Sequence, residues 1–169
     1  DLKLTQIAYI ILLKWLGNTI PEKNLKKIII NSLNFEIPLE RINDFDYIMY
    51  LDKGPTCSFK DIGAGMLARI MEYFLSIEER DILILTATSG DTGGEVASAF
   101  YGKHRIKVVI LYPKNEISDL QRKQMTTLGK NVVSIGIGGK FDDCQRYVKT
   151  AFADRDLQYL NLTSANSIN

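Results

Sequence analysis

The run Ile82-Leu83-Ile84-Leu85, followed within a few residues by Ser89-Gly90-Asp91-Thr92-Gly93-Gly94, constrains the fold of this chain more than any other feature. Four consecutive apolar residues leave a strand no polar face. Both sides must be covered, as in a parallel sheet between helical layers. The same kind of run returns in KVVILYP, closed by Pro113, and again at Val132 to Ile135. Helical patterns fill the intervals: from SGDTGG to about Tyr101, over residues 117 to 128, and on the face marked by Phe141, Cys144, Val148 and Phe152. Leu157 to Leu162 reads as a last strand. Alternation at this spacing predicts an α/β fold, a parallel sheet with helices on both faces and right-handed crossovers.

Upstream the pattern is different. Leu4, Ile7, Ile11, Leu12, Trp15 and Leu16 recur at helical spacing, and Gly17-Asn18 ends the run. A second helix follows from Pro21, a residue well placed where a backbone donor is unpaired anyway. The segment around Pro38 reads as loop or short extended chain. Tyr47 to Leu51 can be a strand, GPTCSFKD a turn ending near Asp61, and residues 63 to 76 a helix. The expected division is an N-terminal helical segment, 1–45, and an α/β domain, 46–169.

Composition narrows the function classes. Of 169 residues, 46% are hydrophobic, enough for a real core. Lys and Arg number 21 against 20 for Asp and Glu, so the formal net charge of +1 calls for no nucleic acid, membrane surface or acidic partner. Cys57, Cys144 and His104 stand too far apart for a zinc site, and two cysteines make no disulfide framework, so a cytoplasmic setting is the default. Both cysteines read as packing residues, and His104 as part of a solvated loop. The N-terminal apolar run is short and contains Lys14, which argues against a membrane span. The first residue is not Met, which suggests that the true start lies upstream.

Two places carry chemistry. The first is Gly54-Pro55-Thr56-Cys57-Ser58-Phe59-Lys60-Asp61. Most lysines at a turn-to-helix junction are simply solvated. The sharper reading is an amine that condenses with an aldehyde, helped by the positive end of the following helix, which disfavours the ammonium form. Asp61 pushes the other way. Gly63 and Gly65 allow close approach of backbone or ligand. The second place is Thr88 to Gly94, at the carboxyl end of a buried strand, where open α/β sheets bind ligands. Helix N–H groups with the hydroxyls of Ser89 and Thr92 can form a cup for a carboxylate. Ordinary capping by Ser89 or Asp91 explains the same residues about as well. Asp91 would repel a bound anion unless it points away or is held by amide donors. One βαβ unit separates the two places, so consecutive parallel units would set them on one sheet edge. Gly136 to Lys140 resembles a phosphate loop but lacks the spacing of either nucleotide fingerprint. Glu78 to Asp81 reads as a helix end and exposed loop.

GPTCSFKD, TATSGDTGG, KVVILYPKNEISDLQRKQMTTLG, GGKFDDCQRYVK and LNLTSANSIN, in that order over residues 47 to 169, resemble the threonine synthases. Asp52-Lys53 departs from the pattern: many members carry an aromatic residue and a histidine there. The resemblance implies a fold-type II enzyme like the tryptophan synthase β chain, with pyridoxal 5'-phosphate as cofactor. It implies a lyase that converts O-phospho-L-homoserine and water to L-threonine and phosphate, with Lys60 bonded to the cofactor and then serving as general base at the α-carbon. Ser89, Gly90, Asp91, Thr92 and Gly93 would surround the substrate carboxylate, Asp91 also approaching the cofactor ring. Asn166 and Asn169 would line the same cleft. In the family, the glycine-rich loop for the cofactor phosphate and the hydroxyl residue at the pyridine nitrogen come after the point where this sequence stops. The resemblance therefore implies a fragment with little activity alone. Two alternatives stay open: a related phospho-lyase releasing a 2-oxo acid, and a non-catalytic α/β binding module.

Overall fold

A computed structural model describes residues 2–165. The chain folds as two compact units, Asp1–Ile70 and Met71–Asn169.

In the first unit, helix α1 (Leu4–Leu16) ends at Gly17, whose N–H donates to the Leu13 carbonyl. Helix α2 (Glu22–Ser32) follows Pro21 directly and buries Leu25, Ile28, Ile29 and Ser32. This is the i, i+3, i+4, i+7 stripe of a helix with one apolar face. The Ser32 hydroxyl sits within 2.7 Å of the Ile28 carbonyl and 3.2 Å of the Gly65 carbonyl, tying α2 to the start of the next helix. Strands β1 (Leu39–Arg41) and β2 (Tyr47–Met49) pair antiparallel, Glu40 opposite Ile48, as a two-stranded sheet of their own. The expected strand at Tyr47 is present but joins no parallel sheet. Its three residues are all exposed. Consecutive parallel units therefore do not connect Lys60 to the Ser89 loop, because the strand before Lys60 lies outside the parallel sheet. Helix α3 (Asp61–Glu78) runs from the first unit into the second.

The second unit contains the expected parallel sheet. Strands β3 (Ile82–Ala87), β4 (Ile106–Pro113), β5 (Val132–Ile137) and β6 (Leu162–Thr163) lie in the order β5-β4-β3-β6, every pair parallel. Helices α4 (Asp91–Phe100) and α5 (Asp119–Thr126) pack on each other and on β4 and β5. Helix α6 (Phe141–Ala153) packs on β3 and β4. Alternate strand residues serve different helices. Leu85, Ala87 and Leu111 close around Cys144 of α6, with Val109, Val148 and Ala151 beside them. Ile84, Thr86, Val108 and Ile110 alternate with these and are fully buried too. The helices thus cover both faces, as runs without a polar face require. The last expected strand is mostly not one: residues Arg155–Leu160 form a 3-10 helix, and only Leu162–Thr163 pair with β3.

Sheet order locates a ligand crevice. The chain steps outward from β3 to β4 to β5, then returns through α6 to place β6 on the other side of β3. The order reverses between β3 and β6. At such a switch point the connections leave toward opposite faces and open a cleft at the strands' carboxyl ends. The segments leaving those ends are Thr88–Gly90 and residues 164–165.

Candidate functional site

In the first unit the turn before α3 is built around a buried carboxylate. Asp61 is 6% exposed; its Oδ2 accepts from the Thr56 N–H at 2.8 Å and its Oδ1 from the Thr56 hydroxyl at 2.8 Å. Gly54 allows this, since a Cβ there would collide with the Asp61 carboxylate. Cys57, exposed and at φ 60°, turns the chain in the left-handed region, with its N–H donating to the Gly54 carbonyl at 3.1 Å. It is not the packing residue that its type suggests; Cys144 is, fully buried, with its thiol pushed up by desolvation first and by Asp143 second.

Lys60 is the residue just ahead of α3, and its carbonyl accepts the helical bond from the Ala64 N–H at 2.8 Å. Its half-buried side chain leaves the N-terminal end of an 18-residue helix, with Nζ 5.6 Å from the Phe59 ring centroid. The Asp61 carboxylate is engaged with Thr56 in the turn. A primary amine set at a helix N-terminus, on a turn held rigid by a buried acid, fits the donor chemistry that an aldehyde cofactor requires.

In the second unit the loop after β3 is organised by Thr88, which the sequence placed in this loop without assigning it a role. Thr88 is 1% exposed, and its Oγ1 accepts from the Gly90 N–H at 2.9 Å and the Gly93 N–H at 2.8 Å. Two of the donors expected for an anion are therefore spent inside the loop. Gly90 takes φ 143°, and a Cβ there would strike the Gln121 side chain. A Cβ on Gly93 would strike Met125 and Thr88, so this glycine lets α4 sit against both. Ser89 and Asp91 are exposed and Thr92 is half-buried.

Asp91 is held by an amide donor, one of the two conditions under which an anion could still bind: Gln121 Nε2 donates to its Oδ1 at 2.8 Å. Gln121 is fixed in turn by the capping box of α5, its Oε1 accepting from the Ser118 N–H at 3.0 Å. Asn166 and Asn169 lie outside the described residues. The glycine loop 136–140 is not arranged for phosphate. Asp143 accepts from the Lys140 N–H at 2.9 Å and Glu116 from the Phe141 N–H at 3.0 Å, so carboxylates already occupy the first donors of α6. His104 and the segment Glu78 to Asp81 are exposed. One further feature escaped the sequence: Glu95 on α4 is a carboxylate only 2% exposed.

These features define a class first: an open α/β domain with a glycine-rich loop at a topological switch point, preceded by a turn that presents an amine at a helix N-terminus. Residues 31–169 match the family of pyridoxal-phosphate dependent enzymes, and the chain belongs to that family. The sequence is similar to threonine synthase of Buchnera aphidicola subsp. Acyrthosiphon pisum, 45% identical over 161 residues, covering 94% of this chain and 37% of that one. The fold is similar to threonine synthase of Brucella melitensis, solved with PLP bound, at TM-score 0.92 and 35% identity over 98% of this chain and 37% of that one. It is also similar to the Escherichia coli threonine synthase, at TM-score 0.85 and 41% identity over 99% of this chain and 39% of that one. The chain therefore spans well under half the length of these relatives. Among the described residues no helix is long and apolar enough to cross a membrane.

Proposed function

We propose that this chain is the lysine-bearing part of a threonine synthase, a lyase acting on O-phospho-L-homoserine. The observation that carries the reading is Lys60 at the head of α3, in a family defined by a cofactor that bonds to an amine. The similarity of nearly the whole chain to threonine synthases supports the substrate assignment.

On this reading Lys60 holds pyridoxal phosphate. When bound, the cofactor supplies an electron sink for the charge left at the α-carbon as its proton departs. The chain's own residues do the rest. Once the substrate amine has taken its place on the cofactor, the Lys60 amine would accept that proton at Nζ. The turn anchored by Asp61 and Thr56 fixes where the amine sits. The substrate carboxylate lies at the loop after β3, held by Ser89 and Thr92. Gly90 and Gly93 contribute shape, because their N–H groups serve Thr88. Asp91 is oriented by Gln121. The setting is cytoplasmic, in keeping with two free cysteines.

A chimera tests this. These 169 residues replace the matching segment of the Escherichia coli threonine synthase, and the products from O-phospho-L-homoserine are analysed. Threonine and phosphate in equal amounts are expected. A 2-oxo acid in place of threonine would move the assignment to a phospho-lyase, and an inactive but folded, cofactor-loaded chimera would refute it.

A further inference from the structure

The amino end of the parallel sheet, opposite the ligand loop, holds a cleft of about 620 Å³ lined by Asp81, Lys103, His104, Arg105, Lys107 and Lys130, with Gly102, Ile106 and Asn131 completing the wall. That volume lies within the range of small-molecule sites, roughly 300–1,000 Å³. β3 spans six residues, so roughly 20 Å separate the cleft from the loop at Thr88.

The charges in the cleft are unequal. Lys103 pairs with Glu72 at 2.9 Å, and Arg105 with Asp81 at 3.1 Å while also donating to the Glu79 carbonyl at 3.0 Å. Among the described residues, neither Lys107 nor Lys130 has a carboxylate within ion-pair distance; the Lys130 ammonium lies 4.7 Å from the Tyr101 ring centroid. Two positive charges are thus left over beside two pairs that already fix the neighbouring cations.

The wall is built to hold its shape. Asn131 donates to the Phe100 carbonyl at 2.8 Å and the Ile106 carbonyl at 2.8 Å, and accepts from the Gly102 N–H at 2.7 Å. One side chain therefore staples the loop 101–106 to the start of β5. Two of the cations occupy left-handed backbone that such residues rarely adopt, Arg105 at φ 63° and Lys130 at φ 53°. Strain of this kind persists only where surrounding bonds over-determine it, and it concentrates at functional positions.

We propose that this cleft is a second ligand site, for a small phosphate-bearing anion, separate from the site at the strands' carboxyl ends. Lys107 and Lys130 supply the charge. The paired Lys103 and Arg105 supply further N–H donors, Arg105 in the planar fork suited to phosphate oxygens.

Inorganic pyrophosphate is the probe, and calorimetric titration of the purified protein the measurement. The test variant is Lys107→Gln with Lys130→Asn, since asparagine tolerates the left-handed backbone. A control of equal charge loss is Lys23→Gln with Lys27→Gln on the exposed face of α2, and Ser89→Ala reports binding at the other end of the sheet. Melting curves verify that each variant is folded. The expected result is binding by the parent that weakens about tenfold in the cleft variant and stays within about twofold in the other two. No binding by the parent, an unchanged cleft variant, an equal loss in the α2 control, or a loss confined to Ser89→Ala would each overturn the proposal.

Discussion

Asp61 and Thr56 form a closed pair: the carboxylate accepts from both the backbone N–H and the hydroxyl of a residue five positions earlier. The pair sets the direction in which the chain enters α3 and so the origin of the Lys60 side chain. Removing one of two bonds to a buried carboxylate leaves part of its desolvation uncompensated. Thr56→Val should therefore lower stability by about 1–3 kcal/mol in urea unfolding, while Thr56→Ser should recover most of the loss.

Gly93 sits where β3, α4 and α5 approach one another. A methyl group added there meets Met125 and the Thr88 side chain that organises the loop. Gly93→Ala should destabilise by about 1–3 kcal/mol through overpacking. Met125→Ala in the same chain should relieve part of the crowding, so the cost of Gly93→Ala measured in that background should fall. Equal costs in both backgrounds would place the strain elsewhere.

Gln121 holds Asp91 across 30 residues of sequence. Without that amide the Asp91 charge is free to turn toward a bound carboxylate. In the Escherichia coli chimera, Gln121→Ala should raise KM for O-phospho-L-homoserine about tenfold and leave kcat within about twofold. A fall in kcat at unchanged KM would assign Gln121 a different part.

The legible features of this chain rest on strong local signals. Ile82–Leu85, bounded by turn residues, is the run that a strand covered on both faces requires, and Gly17 and Pro21 delimit helices by backbone chemistry alone. The features that stayed hidden depend on distant partners or on signals shared by two structures. A threonine just past a strand, as Thr88 is, looks like any β-branched strand residue until its hydroxyl is seen under two glycine N–H groups. Nothing local marks Gln121 as the partner of Asp91. Tyr47–Met49 buries no face, so its sequence carries no information about its antiparallel partner. Leu157, Tyr159 and Leu160 fit a short strand and a 3-10 turn equally well. Lys60 ahead of a helix and the Ser89–Thr92 turn after a strand were readable as local structure, whereas the hydrogen bonds that organise each turn were not.

The Asp143 carboxyl is held below the usual carboxylate range, first by the Lys140 backbone N–H and also by Arg146. A depressed folded-state value stabilises the fold above the unfolded value, near 3.8, and that stability is lost as pH falls through the lower folded value. Thermal unfolding should therefore show a loss of stability below about pH 4 that is smaller in Asp143→Asn, whose amide cannot titrate. Identical acid profiles in the two proteins would remove Asp143 from the account.

The claim on which the rest depends is that the amine of Lys60 bonds to the cofactor. The direct measurement is borohydride reduction of the pyridoxal-phosphate-loaded chimera, followed by digestion and peptide mass analysis. The account predicts the phosphopyridoxyl mass on the peptide containing Lys60, and its disappearance in Lys60→Ala. The same mass on another lysine, with the Lys60 peptide unmodified, would contradict it.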